Sequence, residues 1–282
     1  MHNHPLLLST GTFYLRDVSE CFALAAECGF DGMEILIDDR YTTRDPDYLL
    51  KLSKQYHLPI YAMHNPFRWN IPYGSDGSDP LARLEETLAL AAVVNAQVVV
   101  LHLPARVGFK SVSEPGRQLR RLALTNPDRT LRRWMANGGL KARQEATNIK
   151  ICVENMPYRP LPPFTQSAFL WNTIEEWSQI HDYLTLDTTH WGTYNIQPII
   201  PLQAAGQRVR HIHLSNFNGE EHRMPEDGTL DLAAVLQYVA RCDHELSVTF
   251  ESDPGAAGYR NQAEMRANLQ KAAGFCRQHL PA

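Results

Sequence analysis

The sequence predicts an α/β protein built as one (β/α)8 barrel. Three observations carry the expectation. Short apolar runs alternate with helical patterns eight times along 282 residues, a normal length for such a barrel. The runs are nearly continuous in Val, Ile and Leu, as parallel strands covered on both faces are. Acidic and histidine side chains recur at the downstream ends of these runs, the end at which barrels of this kind assemble active sites.

The elements read in order as follows. LLLST is the first strand, and DVSECFALAAECG the first helix, with Val18, Phe22, Leu24, Ala25 and Cys28 able to share a face and Gly29 as its stop. GMEILI is the second strand; the next helix is DPDYLLKLSKQYH, with Pro46 suited to a first turn. IYAMHNP is the third strand, followed by a helix from Asp79, its cap, through DPLARLEETLALAAVVNA. QVVVLHLP is the fourth strand, and RTLRRWMANGGLKARQEATN covers the next helical region, broken at Gly138-Gly139. IKICVENMP, YLTLDTTHW, VRHIHLSN and LSVTFESDP supply strands five to eight. Their helices fall near NTIEEWSQI, within Asn195–Gln207, and over LDLAAVLQYVARC and AEMRANLQKAAGFCRQHL. No shift in composition marks a second domain, so residues 1–282 are expected to form one domain. Two connections are long: Ala105 to Asp128, and YRPLPPFTQSAFLW after strand five. Both leave the active-site end of the strands, where long loops form substrate walls.

Bulk composition narrows the function classes. Lys plus Arg is 27 and Asp plus Glu is 31, a net charge of −4, so no global basic field recruits nucleic acid. The five cysteines, an odd number without a CxxC, do not read as a disulfide framework. MHNHPLLLSTG has no basic segment ahead of its apolar run, and no stretch reaches membrane-span length. A cytoplasmic protein without membrane contact is the expectation.

Glu154, Asp187, His213 and Glu251 end ICVENMP, LTLDTTH, HIHLSN and VTFESDP. Three hard carboxylates and one imidazole suit a divalent ion such as Mn, Zn, Co or Mg. His64, His102 and His190 sit at comparable positions, so all seven should meet at one mouth. Any one of them alone reads as a hydrogen-bonded structural group. Together they place more charge in one place than burial tolerates without a cation or a proton.

GFDGMEI, VVVLHLP, ICVEN, LTLDTTH, HIHLSN and VTFES resemble the xylose isomerase-like TIM-barrel superfamily over almost the whole chain. That group includes sugar and sugar phosphate isomerases, ketose 3-epimerases and endonuclease IV-like nucleases (AP endonuclease family 2). For the isomerase and epimerase branch, the resemblance implies one metal on Glu154, Asp187, His213 and Glu251. Glu154 and Glu251 would serve as the catalytic acid and base on opposite faces of the reacting carbon, and His190 would bind substrate. The nuclease branch implies up to three zinc ions, with His64 and His102 holding one, Glu154 bridging, Asp187, His190 and His213 contributing as ligands, Glu251 joining a close pair, and an acid-x-His element completing the third site. Glu220 and His222 have that spacing. HRMPEDG follows where the nuclease carries a Ser-Leu-Gly-x-Gly run, and no loop rich in Arg and aromatics follows strand two. The epimerases' substrate-binding Arg after strand seven also has no counterpart in NFNGEE. The leading expectation is a divalent-metal isomerase or epimerase acting on a sugar, sugar phosphate or polyol. A zinc phosphodiesterase acting on abasic-site DNA ranks second, and a non-catalytic metal- or polyol-binding barrel third. The superfamily's dimers and tetramers make a homo-oligomer an expectation as well.

Smaller signals complete the candidate site. His64 and His102 are read as substrate-binding groups if one metal is present. His211 points to the same side of its strand as His213 and reads as a support beneath it. Glu34 is read either as a hydroxyl acceptor or as half of a structural ion pair. Arg106, Lys110 and Arg159 on the mouth loops could hold an anionic group, and Trp69 could stack on a sugar face. Arg120-Arg121 reads as an exposed helix face or loop.

Overall fold

A computed structural model describes residues 4–66, 79–107, 128–160 and 167–280, together with the backbone of strands at 109–114 and 117–122. Eight parallel strands close a barrel: β1 (Leu6–Ser9), β2 (Gly32–Leu36), β3 (Ile60–His64), β4 (Val98–His102), β7 (Lys150–Glu154), β8 (Leu184–Asp187), β9 (Val209–Leu214) and β10 (Ser247–Phe250). Each pairs with its sequence neighbour in the barrel, and β1 closes the ring on β10. The remaining two, β5 (Phe109–Glu114) and β6 (Arg117–Leu122), form an antiparallel hairpin in the long connection after β4. Arg120 and Arg121 therefore lie on a strand, not on a helix or an irregular loop. A hairpin was not legible there, because the segment lacks alternating apolar residues.

Strand parity sorts the side chains. Leu6, Leu8, Ile35, Met63, Val99, Ile151, Val153, Leu186, Ile212 and Val248 belong to the core between strands and helices. The alternate positions Leu7, Ala62, Val98, Val100 and Cys152 make a separate apolar cluster. His64, His102, Glu154, Asp187, His211 and His213 share the parity of that second set, so they face the barrel interior. Continuous apolar sequence on one parity thus fixes where the chemistry points.

The helices start and stop for local reasons. In α1 (Val18–Cys28), Asp17 accepts from the Ser19 amide at 2.8 Å, and Gly29 ends the helix at φ 80°. Pro46 opens α2 (Pro46–Tyr56), and Asp79 caps α3 (Pro80–Val93). The expected break separates α4 (Arg129–Ala136) from α5 (Gly139–Glu145). Gly138 takes φ 78°, and a Cβ on Gly139 would lie 2.4 Å from the Trp134 ring, so the bend needs both glycines. After α6 (Ile174–Trp177), strand β8 stops at Asp187 rather than running through DTTHW. Residues Thr188–Gly192 turn at once into α7, whose N-cap is Asp187 itself. Next come α8 (Ile199–Ala205), α9 (Leu232–Val239) and α10 (Gln262–His279). No helix among the described residues is long and apolar enough to cross a membrane.

Candidate metal centre

His213, from β9, is the hub. Its Nδ1 lies 3.1 Å from Glu154 Oε1 and 3.1 Å from Glu251 Oε2, and 3.8 Å from Asp187 Oδ2. Three carboxylates from three strand ends thus converge on one imidazole nitrogen. Glu154 and Asp187 are fully buried, while the Glu251 side chain is 16% exposed. Asp187 Oδ1 accepts from the His190 amide at 2.8 Å, as the cap of α7 requires. Its Oδ2 and Glu154 Oε2 are buried without an aligned hydrogen bond.

Histidines surround the carboxylates. His64 Nε2 and His102 Nε2 approach Glu154 Oε2 at 3.4 Å and 3.0 Å, from β3 and β4. His64 Nδ1 contacts the Asn65 carbonyl at 2.9 Å, so Nδ1 donates and Nε2 is left to face the site. His190 Nδ1 meets the Asn155 carbonyl at 2.8 Å in the same way. His222 packs edge-on to His190 at 5.5 Å, and its backbone takes φ 57°. That strained position is pinned by Thr189 Oγ1, which accepts from the His222 amide at 3.1 Å.

The electrostatics follow from burial and proximity. Burial, then the charges of Glu154 and Glu251, pushes the Asp187 carboxyl well above the usual range. Burial would raise Glu154 too, but the charges of His213 and His102 hold it well below. Burial disfavours charge on His213, yet Glu34, Glu251 and Glu154 together hold it well above the ordinary imidazole value. His64 is raised by Glu154 against its own burial, and His190 is pushed well below by desolvation, so it is neutral at pH 7.

This arrangement fits a divalent cation. Asp187 Oδ2, buried without a hydrogen bond, and Glu154 Oε2, met only by the His64 and His102 ion-pair contacts, are what a metal would satisfy, and neutralising crowded carboxylates removes the strain on Asp187. One donor atom each from Asp187, His213 and Glu251 lies within 4.8 Å of the others. The same holds for His64, Glu154 and His213, and for Asp187, His190 and His222. Both groups extend the first.

A cavity of about 750 Å³ opens over the centre, lined by Glu154, Glu251, His64, His102, His190 and His222 among others. Arg159 reaches its wall but is paired with Glu221. Arg106 does not line it: its guanidinium donates to the Ser167 carbonyl at 3.1 Å, stapling two mouth loops together. Glu220 turns away, 73% exposed and 3.0 Å from Arg223, so its carboxylate does not join His222 in a third ligand group. The acid-x-His spacing does not bring the two side chains together here: His222 takes a left-handed φ of 57°, and Glu220 pairs with Arg223. Glu34 is fully buried against His211 and His213, beneath the cavity rather than in it. Of its two readings, the ion pair is the one the geometry gives. Trp69 lies outside the described residues, and so does the Lys110 side chain on β5.

Two contributors escaped sequence reasoning. Asn155 is clamped to Asp187 through both backbone groups, accepting from its amide at 2.8 Å and donating to its carbonyl at 3.0 Å. The polar residue beside Glu154 in an otherwise apolar run was the available signal. Gly11 lies under Glu251, where a Cβ would come 3.1 Å from Glu251 Oε1. Nothing in STGTF marked it.

Comparisons with known proteins agree with this architecture. The chain is 26% identical over 297 aligned positions to the uncharacterized protein ML2432 of Mycobacterium leprae, covering 97% of this chain and 96% of that protein. The D-psicose 3-epimerase of Clostridium cellulolyticum H10, solved with D-tagatose, superposes with a TM-score of 0.69 at 14% identity, covering 99% and 100% of the two chains. The AP endonuclease, family 2, of Brucella melitensis superposes with a TM-score of 0.65 at 16% identity, covering 98% and 99%. At such identities the likeness is one of fold. Residues 22–269 match the family model described as xylose isomerase-like TIM barrel, and by that match over most of its length the chain belongs to this family.

Proposed function

We propose that the protein is a divalent-metal-dependent isomerase or epimerase that moves a proton next to the carbonyl of a sugar, sugar phosphate or related polyol. The observation that carries this reading is the pair Glu154 and Glu251. Both carboxylates reach the same His213 nitrogen at 3.1 Å, and both line the cavity. Two carboxylates flanking one centre can remove a proton from carbon and return it, on opposite faces. Asp187, His213, Glu154 and Glu251 would hold one Mn, Zn, Co or Mg ion. When bound, it would polarise the substrate carbonyl as a Lewis acid. Neutral His190, fixed through Nδ1, offers Nε2 to a substrate hydroxyl. Met156, Pro157 and Phe169 supply an apolar wall that excludes water.

The zinc phosphodiesterase reading draws on His64 and His102, which supply a second donor set around Glu154. Two observations weigh against it. Glu220 does not complete a third set. The described cavity wall also carries Asp38, Asp39, Glu221 and Asp253, and its two arginines, Arg40 and Arg159, are paired with Asp38 and Glu221, so it presents no net basic surface to a phosphodiester backbone.

Metal stoichiometry and turnover test the proposal. Protein purified without chelators should carry close to one divalent ion. A ketose and sugar-phosphate panel in deuterated water should show deuterium entering at the carbon next to the carbonyl. Glu154→Gln and Glu251→Gln should each slow turnover by about 10²- to 10⁴-fold. Two or three zinc ions with cleavage of abasic-site DNA would replace the proposal with the phosphodiesterase.

A further inference from the structure

Beneath the metal centre runs a buried polar layer that the reaction chemistry does not use. Glu34, on β2, reaches across the barrel interior past β1 and β10 to two histidines of β9. Its Oε2 lies 2.6 Å from His211 Nε2 and 3.0 Å from His213 Nε2. The intervening strands add support. Ser9 of β1 donates to Glu34 Oε1 at 3.1 Å, and Thr249 of β10 lies 3.4 Å from Oε2. His211 Nδ1 in turn meets Ser247 Oγ at 2.7 Å. Glu34, His211, His213 and Thr249 are all at 0% exposure.

The proton positions in this chain are constrained. Carboxylate Oε2 is an acceptor only, so both Nε2 atoms donate to it. His211, donating through Nε2, accepts from the Ser247 hydroxyl at Nδ1. His213, donating through Nε2, turns Nδ1 toward Glu154, Glu251 and Asp187. An imidazole with carboxylates on both edges has two competing orientations of its N–H. Glu34 decides between them, and Ser247 through His211 holds Glu34.

We propose that Glu34 is a positioning residue for the metal centre: it anchors Nε2–H of His213 so that Nδ1 is presented to the ion, with the Ser247–His211 pair locking the carboxylate in place. The inference rests on the divalent-metal reading of the site and not on the identity of the reaction. Its physical basis is general. A ligating histidine is oriented and made more basic by a carboxylate on its other nitrogen, and loss of that partner typically weakens metal affinity 10- to 100-fold. A glutamine at position 34 is nearly isosteric, but it presents one acceptor and a donor NH₂ where the carboxylate accepts from several groups.

The test uses the full chain, as wild type, Glu34→Gln and Ser247→Ala. Zinc affinity is measured by chelator competition, the visible spectrum with cobalt, and the melting temperature without metal. Glu34→Gln should bind zinc about 10- to 100-fold more weakly and shift the cobalt bands; its metal-free melting temperature should also fall, because a buried carboxylate facing two histidines is lost. Ser247→Ala, which removes one hydrogen bond further from the ion, should weaken zinc about fivefold. If Glu34→Gln fails to fold, Ser247→Ala decides alone. Wild-type zinc affinity in the folded variants would overturn the inference, whether or not the melting temperature falls, because a purely structural role predicts that pattern. A wild-type protein that binds neither zinc nor cobalt would overturn the metal reading and this inference with it, and that failure is visible without any variant.

Discussion

Metal binding should release protons, and the pH dependence of affinity measures how many. The perturbation is titration of zinc or manganese into metal-free protein over a pH series. His213 is held well above its ordinary 6.5 by Glu34, Glu251 and Glu154, against burial, so in the metal-free state near neutrality it carries a proton on both nitrogens. Glu34 retains the one on Nε2. The one on Nδ1 occupies the position an ion would take and must leave. That fixes a minimum of about one proton per ion, a tenfold gain in affinity per pH unit, or about 1.4 kcal/mol. Asp187, raised well above its ordinary 3.8 by burial and by Glu154 and Glu251, adds up to one more over the range in which it remains protonated. The slope of log Kd against pH should therefore lie between about −1 and −2 near pH 6. Calorimetry in buffers matched in pH but differing in ionisation enthalpy counts the protons directly. A Kd that is flat across this range, with no buffer dependence of the heat, would refute the reasoning, because it would mean that His213 Nδ1 carries no proton or is not displaced.

The same groups set a sign for metal-free stability. A raised His213 stabilises the folded state fully below 6.5 and loses that contribution as pH rises through its folded value. His190, depressed by burial, acts only below 6.5, where the unfolded chain takes up a proton that the folded one does not. Above pH 6.5 the metal-free melting temperature should thus fall as pH rises, while the loaded protein should not follow; a rise in the metal-free curve would contradict the assignment. Glu220→Ala should leave metal stoichiometry and turnover unchanged and stability within about 0.5 kcal/mol, a direct check that its exposed carboxylate is no ligand. Gly11→Ala places a methyl group 3.1 Å from Glu251 Oε1 and 3.0 Å from Leu36 Cδ2, so turnover should drop while global stability, read by denaturant titration, changes little. Leu186→Ala, between strand and helix at 0% exposure, should cost about 2–5 kcal/mol in the same titration without altering metal count.

The barrel was legible because its strands are near-continuous apolar runs and its helices carry local start and stop signals. Asp79, Pro46 and Gly138-Gly139 all act where their residue types imply. The end of β8 was not legible, because Asp187 serves two purposes: Thr188–Gly192 begins a helix immediately, and the strand-forming threonines belong to its first turn. The convergence of seven acids and histidines was readable from spacing alone, since barrel geometry turns strand ends into neighbours. Glu220 misled because spacing alone does not fix the backbone: His222 itself takes a left-handed φ of 57°, and Glu220 pairs with Arg223 instead. Arg106 and Arg159 were unreadable for a related reason: loop side chains find partners set by tertiary contacts, a carbonyl in one case and Glu221 in the other.

Those loop contacts bear on how the mouth behaves over time. The connections after β4 and β7 are joined by backbone hydrogen bonds: the Arg106 amide to the Ala168 carbonyl at 2.7 Å, and the Leu170 amide to the Pro104 carbonyl at 3.0 Å. The Ala168 amide closes the second connection on itself through the Arg159 carbonyl at 2.7 Å. Two segments far apart in sequence thereby form one panel of the entrance. Displacing either without the other would break these bonds, so opening on that side is expected to be concerted. Deuterium uptake at Arg106, Ala168 and Leu170 should consequently proceed at a common opening rate, and shortening one connection should loosen the other.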